Sequence, residues 1–151
     1  MAHRRPTRQS TRTLRDEAAQ RLLLSTLALM NRTAALDALL NITVPISEAI
    51  AGVTSFAWDS ESELVVLLPE HFCRALLLFN QGALSAAEIE EWANALECRD
   101  DVRISTTIAH ELLHELANPL LTRSLSKERA SFWLSQLALS ANPSINTDAA
   151  R

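Results

Sequence analysis

Apolar positions in this chain recur every three to four residues from Leu14 onward, the spacing that gives a helix one oily stripe. Thr13 with Asp16 three residues on reads as a capping box. Leu14, Ala18, Leu22, Leu23, Leu27 and Met30 follow as a stripe and predict a first helix near 13–30. Thr33 then caps a shorter helix carrying Leu36, Leu39 and Leu40. Ile42-Thr43-Val44-Pro45 leaves helical geometry, because the residue before a proline is pushed toward extended φ/ψ. Ser47 restarts a short turn that closes near Gly52. Residues 53–68 have a different texture: Phe56, Trp58 and the β-branched pair Val65-Val66 surround a polar Asp59-Ser60-Glu61-Ser62 break, which predicts a minor extended segment or a hairpin.

The helical signals beyond this point are cleaner. Pro69 at a first helical position with Glu70 in the first turn opens a helix that turns Phe72, Cys73, Leu76 and Leu77 inward and stops at Gly82. Ser85 and Glu88 form a capping box for a helix with Ile89, Trp92, Ala93 and Leu96 on one side, ending at the charged corner Arg99-Asp100-Asp101. Ser105 or Thr106 caps the next, whose apolar lines run through Ile108, Leu112 and Leu116 and through Ala109, Leu113 and Ala117 before Asn118-Pro119 closes it. Ser126 caps the last, with Ala130, Trp133, Leu134, Leu137 and Ala138 on its face. The expected fold class is therefore all-α: a compact bundle of four to six amphipathic helices. Residues 13–140 form a single helical domain between a disordered basic arm at 1–12 and a flexible tail at 141–151.

Composition narrows the functional classes. With 151 residues at 48% hydrophobic, one core is the natural outcome. Gly52 and Gly82 are the only glycines, too few for a phosphate loop, a dinucleotide fingerprint or a nucleophile elbow. Cys73 and Cys98 make neither a disulfide framework nor a ligand spacing, and the Leu-rich start is interrupted by Asp16, Glu17, Arg21 and Asn31, so a cytoplasmic protein is expected. Charge is uneven. Residues 1–40 hold seven Arg against three acids, whereas residues 41–151 hold seven basic side chains against fifteen acidic ones. An arm with Arg4, Arg5, Arg8, Arg12 and Arg15 but no aromatic gives nucleic acid little beyond charge, so nucleic acid is not the expected partner. The acidic remainder suits a basic protein partner.

One stretch carries possible chemistry. His110-Glu111-Leu112-Leu113-His114 spells H-E-x-x-H: two imidazoles one helical turn apart can grip zinc, with Glu111 as base toward a metal-bound water. A zinc-dependent metallopeptidase, with His110 and His114 as ligands and Glu111 catalytic, is the alternative reading. It lacks an obvious third ligand, since Ala117 and Leu120 occupy the glycine and histidine positions of the extended motif. Glu128, Asp148 or His71 would have to serve. The first-ranked reading is non-catalytic and needs no cofactor.

Phe79-Asn80-Gln81-Gly82-Ala83-Leu84-Ser85-Ala86-Ala87-Glu88-Ile89-Glu90-Glu91-Trp92-Ala93, continuing through Leu96-Glu97-Cys98-Arg99-Asp100-Asp101, resembles small helical bacterial toxin-immunity proteins of the colicin D immunity type. Leu116-Ala117-Asn118-Pro119 followed by Leu121-Thr122 is similar to the end of that domain. The resemblance covers about Leu68 to Leu137. It implies an all-α module that blocks a cognate toxin or nuclease and does no catalysis. On that reading Glu90, Glu91, Glu97, Arg99, Asp100 and Asp101 form the partner-binding surface. Asp100→Lys with Asp101→Lys is then expected to abolish capture while leaving the thermal transition in place.

Overall fold

A computed structural model describes residues 8–141, with side chains from residue 15. Six helices and two short strands follow one another among the described residues: α1 (Arg8–Asn41), α2 (Ile46–Thr54), β1 (Val65–Leu67), α3 (Pro69–Asn80), α4 (Ala86–Leu96), β2 (Val102–Ile104), α5 (Thr107–Ala117) and α6 (Lys127–Ala141). The all-α class with a minor extended segment holds. The capping signals of α4, α5 and α6 each have a local cause in the structure. Ser85 Oγ accepts from Glu88 N–H at 3.2 Å and Glu88 Oε2 accepts from Ser85 N–H at 2.8 Å, so the capping box closes both ways. Thr106 caps α5 by accepting from Ala109 N–H, and Ser126 Oγ accepts from Arg129 N–H at the start of α6. At the end of α3, Gly82 takes φ +77°, letting its N–H reach Phe79 O and that of Ala83 reach Leu78 O. This paired closure uses the left-handed backbone that glycine adopts freely.

The N-terminal reading needs correction. The stripe expected at 13–30 and the helix expected after Thr33 are one continuous helix. Thr33 does not cap: its hydroxyl donates back to Leu29 O at 3.0 Å, which leaves the helical ladder intact. The helix also begins upstream of Thr13, so residues 8–12 of the expected arm are helical; residues 1–7 and 142–151 lie outside the described residues. Helix α1 ends through a left-handed Ile42, φ +49°, with Thr43 N–H on Ala38 O.

The extended segment is likewise not a hairpin. β1 pairs in parallel with β2, Val65 opposite Val102 and Leu67 opposite Ile104, and α3 and α4 lie in the connection between them. A parallel pair needs such a crossover. Asp59 to Ser62 is a loop in which Ser60 Oγ bonds Ser62 O.

One core unites the pieces. Leu36, Leu39 and Leu40 of α1, Ile46 and Val53 of α2, Phe72 and Leu76 of α3, and Ile89, Trp92 and Leu96 of α4 join Leu112 and Leu116 of α5 and Trp133 and Leu137 of α6. Leu77 and Ala138, read as inward, are exposed; Ala75 takes the place of Leu77 on the buried face of α3. Trp92 Nε1 donates to Leu39 O at 2.8 Å, and the Trp92 ring meets Phe72 edge-on. Helices α5 and α6 are clamped by Glu115, which accepts from Arg129 Nε at 2.6 Å and Trp133 Nε1 at 2.9 Å. Burial would raise the Glu115 pKa, but the bonds from Arg129 and Trp133 and the arginine charges outweigh it and hold the carboxyl below its ordinary value.

Candidate functional site

The charged corner Arg99-Asp100-Asp101 follows the C-terminal end of α4 and feeds β2. Its chemistry splits between neighbours. Asp101 is 0% exposed and accepts from Arg99 Nε at 2.8 Å, Arg99 Nη2 at 2.8 Å and Arg32 Nε at 2.7 Å. Both guanidinium groups also reach Ala57 O, and Arg32 reaches Asp59 O, so the loop before β1 is pinned to the same ion group. The Asp101 backbone carbonyl accepts from Leu64 and Val65 N–H. Burial raises the Asp101 pKa, yet hydrogen bonds and charge from Arg99 and Arg32 prevail and keep the carboxyl below the usual range.

Two expected partner-binding residues are thereby reassigned. Asp101 and Arg99 are interior, and their charges are spent on each other and on Arg32; only Asp100 of the corner is exposed. A partner cannot reach Asp101, and Asp101→Lys would place a third cation beside the buried Arg99 and the half-buried Arg32.

The remaining acidic residues do not share one face. Glu90 lines a groove with Glu115, Leu116, Pro119 and Arg123 on the α5 side of α4. Glu91 lines a groove of about 490 Å³ between α2 and α4, with Ile50, Val53, Trp58 and Asn94. Glu97 and Asp100 line a third, open groove of about 900 Å³ with Glu63, Cys98, Arg103, His110, Glu111 and His114. Helix geometry explains the split, since a step of one residue turns 100° around α4. The structure thus gathers Glu97, Asp100 and the H-E-x-x-H stretch along one groove, and sets Glu90 and Glu91 in two other grooves.

In that third groove His110, Glu111 and His114 all lie on the exposed face of α5. His114 Nδ1 stands 3.1 Å from Glu97 Oε1, and Asn118 Nδ2 donates to both oxygens of Glu97 and to His114 O. This polar cluster ties the ends of α4 and α5 together and caps the last turn of α5. The proposed third ligands stand elsewhere. His71 uses Nδ1 to accept from Leu68 N–H at the start of α3, where burial lowers its pKa against Glu70 and Asp37. Glu128 is bound at the first turn of α6 through Ser126, and Asp148 lies outside the described residues. Among the described residues no three His, Cys, Asp or Glu side chains stand together as a metal set. Protein purified without chelator is expected to carry zinc well below one equivalent, and His110→Ala with His114→Ala to keep its thermal transition. Near-stoichiometric zinc lost in that variant would make the groove a metal centre with Glu111 as its base.

Sequence reasoning missed one exposed aromatic residue that lines a groove. Trp58 was noted only as part of an extended segment, yet it is 50% exposed and lines the α2–α4 groove. The Arg99 guanidinium stands 5.2 Å from its ring centroid, and its backbone carbonyl accepts from Asp100 N–H. The available signal was a lone tryptophan entering a run of polar residues. Comparison with protein-family models, curated proteins and solved structures found no match to this chain.

Proposed function

We propose that this chain is a non-catalytic protein-binding module of the cytoplasm, an immunity-like inhibitor that blocks a basic toxin or nuclease domain in the manner of a toxin-antitoxin pair. The observation that supports it is Trp58. An aromatic ring half-exposed over a groove, held from behind by a cation, is the kind of rigid anchor around which interface energy concentrates. Its surroundings suit a cationic partner. Glu91 shares its groove, while Asp100, Glu97, Glu63 and Glu111 line the next groove, and Arg99 borders both with its guanidinium turned onto Asp101, which it shares with Arg32. Arg103, the other cation of the second groove, lies 3.2 Å from Glu63. An acidic rim of this kind raises the rate of encounter and fixes register, and the apolar floor of Ile50 and Val53 supplies the area that holds the complex. The resemblance over Leu68 to Leu137 points the same way.

The test combines Trp58→Ala with Glu91→Lys, both at exposed positions. A basic protein retained by the wild type and lost by the variant is identified by mass spectrometry, then titrated as a purified pair. The variant is expected to bind at least ~100-fold more weakly, the scale of one anchor plus one charge reversal, and to fail to inhibit that protein. A partner bound equally by both forms would remove this surface from the reading.

A further inference from the structure

Residues 15–31 of α1 are exposed throughout, and they are not polar. Leu22, Leu23, Leu24, Leu27, Leu29 and Met30 are each between 51% and 71% exposed. A helix apolar on several sides is normally buried, and a projecting half without tertiary contacts is only marginally stable in water.

The stretch is not a membrane span. Helix Arg15–Asn41 has the length and composition of one, but its C-terminal part is committed: Leu36, Leu39 and Leu40 lie in the core and Arg32 is held by Asp101. The free apolar run, residues 22–30, rises only ~14 Å, against a hydrocarbon layer of about 30 Å.

Its pattern is that of a helix seam. Leu23, Leu27, Met30 and Ala34 follow at intervals of four, three and four, the a/d rhythm of a coiled coil, and small Ala34 permits close approach. At 100° per residue this line lies on the side of α1 roughly opposite Leu36, Leu39 and Leu40, so the domain does not obstruct it. Charge sets the orientation. Along residues 8–31 the helix carries Arg8, Arg12, Arg15 and Arg21 against Asp16 and Glu17, whereas residues 32–151 carry eight basic side chains against sixteen acidic ones. A parallel pair would lay the arginines of two chains side by side. An antiparallel pair brings each basic half toward the acidic body of the other copy.

We infer that α1 is a self-association element that pairs antiparallel with α1 of a second copy, Leu27 meeting Met30 and Leu23 meeting Ala34 across the seam. Covering this seam and the flanking Leu24 removes on the order of 600 Å² per chain, less than the ~800 Å² of a standard interface. An interface of that size belongs with weak, reversible contacts, and we expect it to dissociate in the micromolar range. It does not depend on the toxin-binding reading, because no side chain of the seam lines the Trp58 groove or the His110 groove.

Sedimentation of the full chain from about 2 to 400 µM brackets that range. The mass is expected to climb from one chain to two, and to fall with added salt. Leu23→Glu with Leu27→Glu should stay monomeric with an unchanged thermal transition. Orientation is read in a Cys98→Ser background: a mixture of Leu23→Cys and Ala34→Cys chains should form a disulfide dimer on oxidation, while Ala34→Cys alone should not. A wild type monomeric at the highest concentration, a dimer that survives the two glutamates, or efficient linkage of Ala34→Cys to itself would overturn the inference. So would a monomer that floats with anionic phospholipid vesicles, which would give the face to lipid.

Discussion

Asp101→Ala is expected to lower the stability of this protein by about 3–5 kcal/mol, the cost of stripping a buried ion group of its shared counter-charge. For a domain of this size that is a fall in Tm of roughly 10–20 °C. The magnitude follows from what the carboxylate holds. Arg32 from within α1 and Arg99 from the corner both converge on it, and the carbonyls of Ala57 and Asp59 complete the guanidinium contacts. Without Asp101, the buried Arg99 faces the half-buried Arg32 with no counter-charge between them. Asp101→Asn keeps the volume and removes the charge, so it should recover only a small part of the loss. The same group sets an acid limit. Its pKa is depressed in the folded protein, as is that of Glu115, so the stability both contribute is present above the ordinary carboxylate range. It is lost as pH falls through the folded values, which lie below the ordinary carboxylate range. Urea denaturation of wild type and Asp101→Ala at pH 7 measures the difference; a change under ~1 kcal/mol would be the size of a surface pair and would place the corner outside the core.

The second large effect belongs to Trp92. Its ring fills the centre of the core, and its Nε1 supplies a donor to Leu39 O, one of the last carbonyls of α1 that no intrahelical N–H can satisfy. Trp92→Ala is expected to cost about 3–5 kcal/mol from the cavity alone. Trp92→Phe separates the two contributions, since it retains an aromatic ring near Phe72 but leaves Leu39 O with Ile42 N–H at 3.3 Å as its remaining partner. That change should cost ~1–3 kcal/mol. Equal losses for the two variants would mean that packing contributes little and the hydrogen bond nearly everything.

Local grammar was legible in the chain and long-range pairing was not. Ser85 with Glu88, Pro69, Gly82 and the proline after Asn118 act within one turn of the helix they start or stop, so their meaning does not depend on the rest of the fold. Thr33 misled because a threonine that caps and a threonine that bonds back four residues look identical until the chain direction before it is known. β2 was hidden because a three-residue strand has no period to read, and its partner lies beyond two helices. The corner read as a charged surface because Arg99-Asp100-Asp101 is hydrophilic text. Its burial depends on Arg32, which the sequence places 69 positions away. The H-E-x-x-H stretch was visible for the opposite reason, as a local motif, while the gathering of further ligands that would make it a site is a tertiary property.

That separation of 69 positions also bears on how the chain folds. A contact between groups so far apart forms only after a long loop has closed, at an entropic cost that no local element repays. The α4 capping box and the glycine stop of α3 can form early and alone. The Arg32–Asp101 junction and the β1–β2 ladder must come late and together, because each fixes the register of the other through the Asp101 backbone. The wall that Arg99 gives to both grooves is therefore made at the last cooperative step. It opens with the whole domain rather than by local fraying.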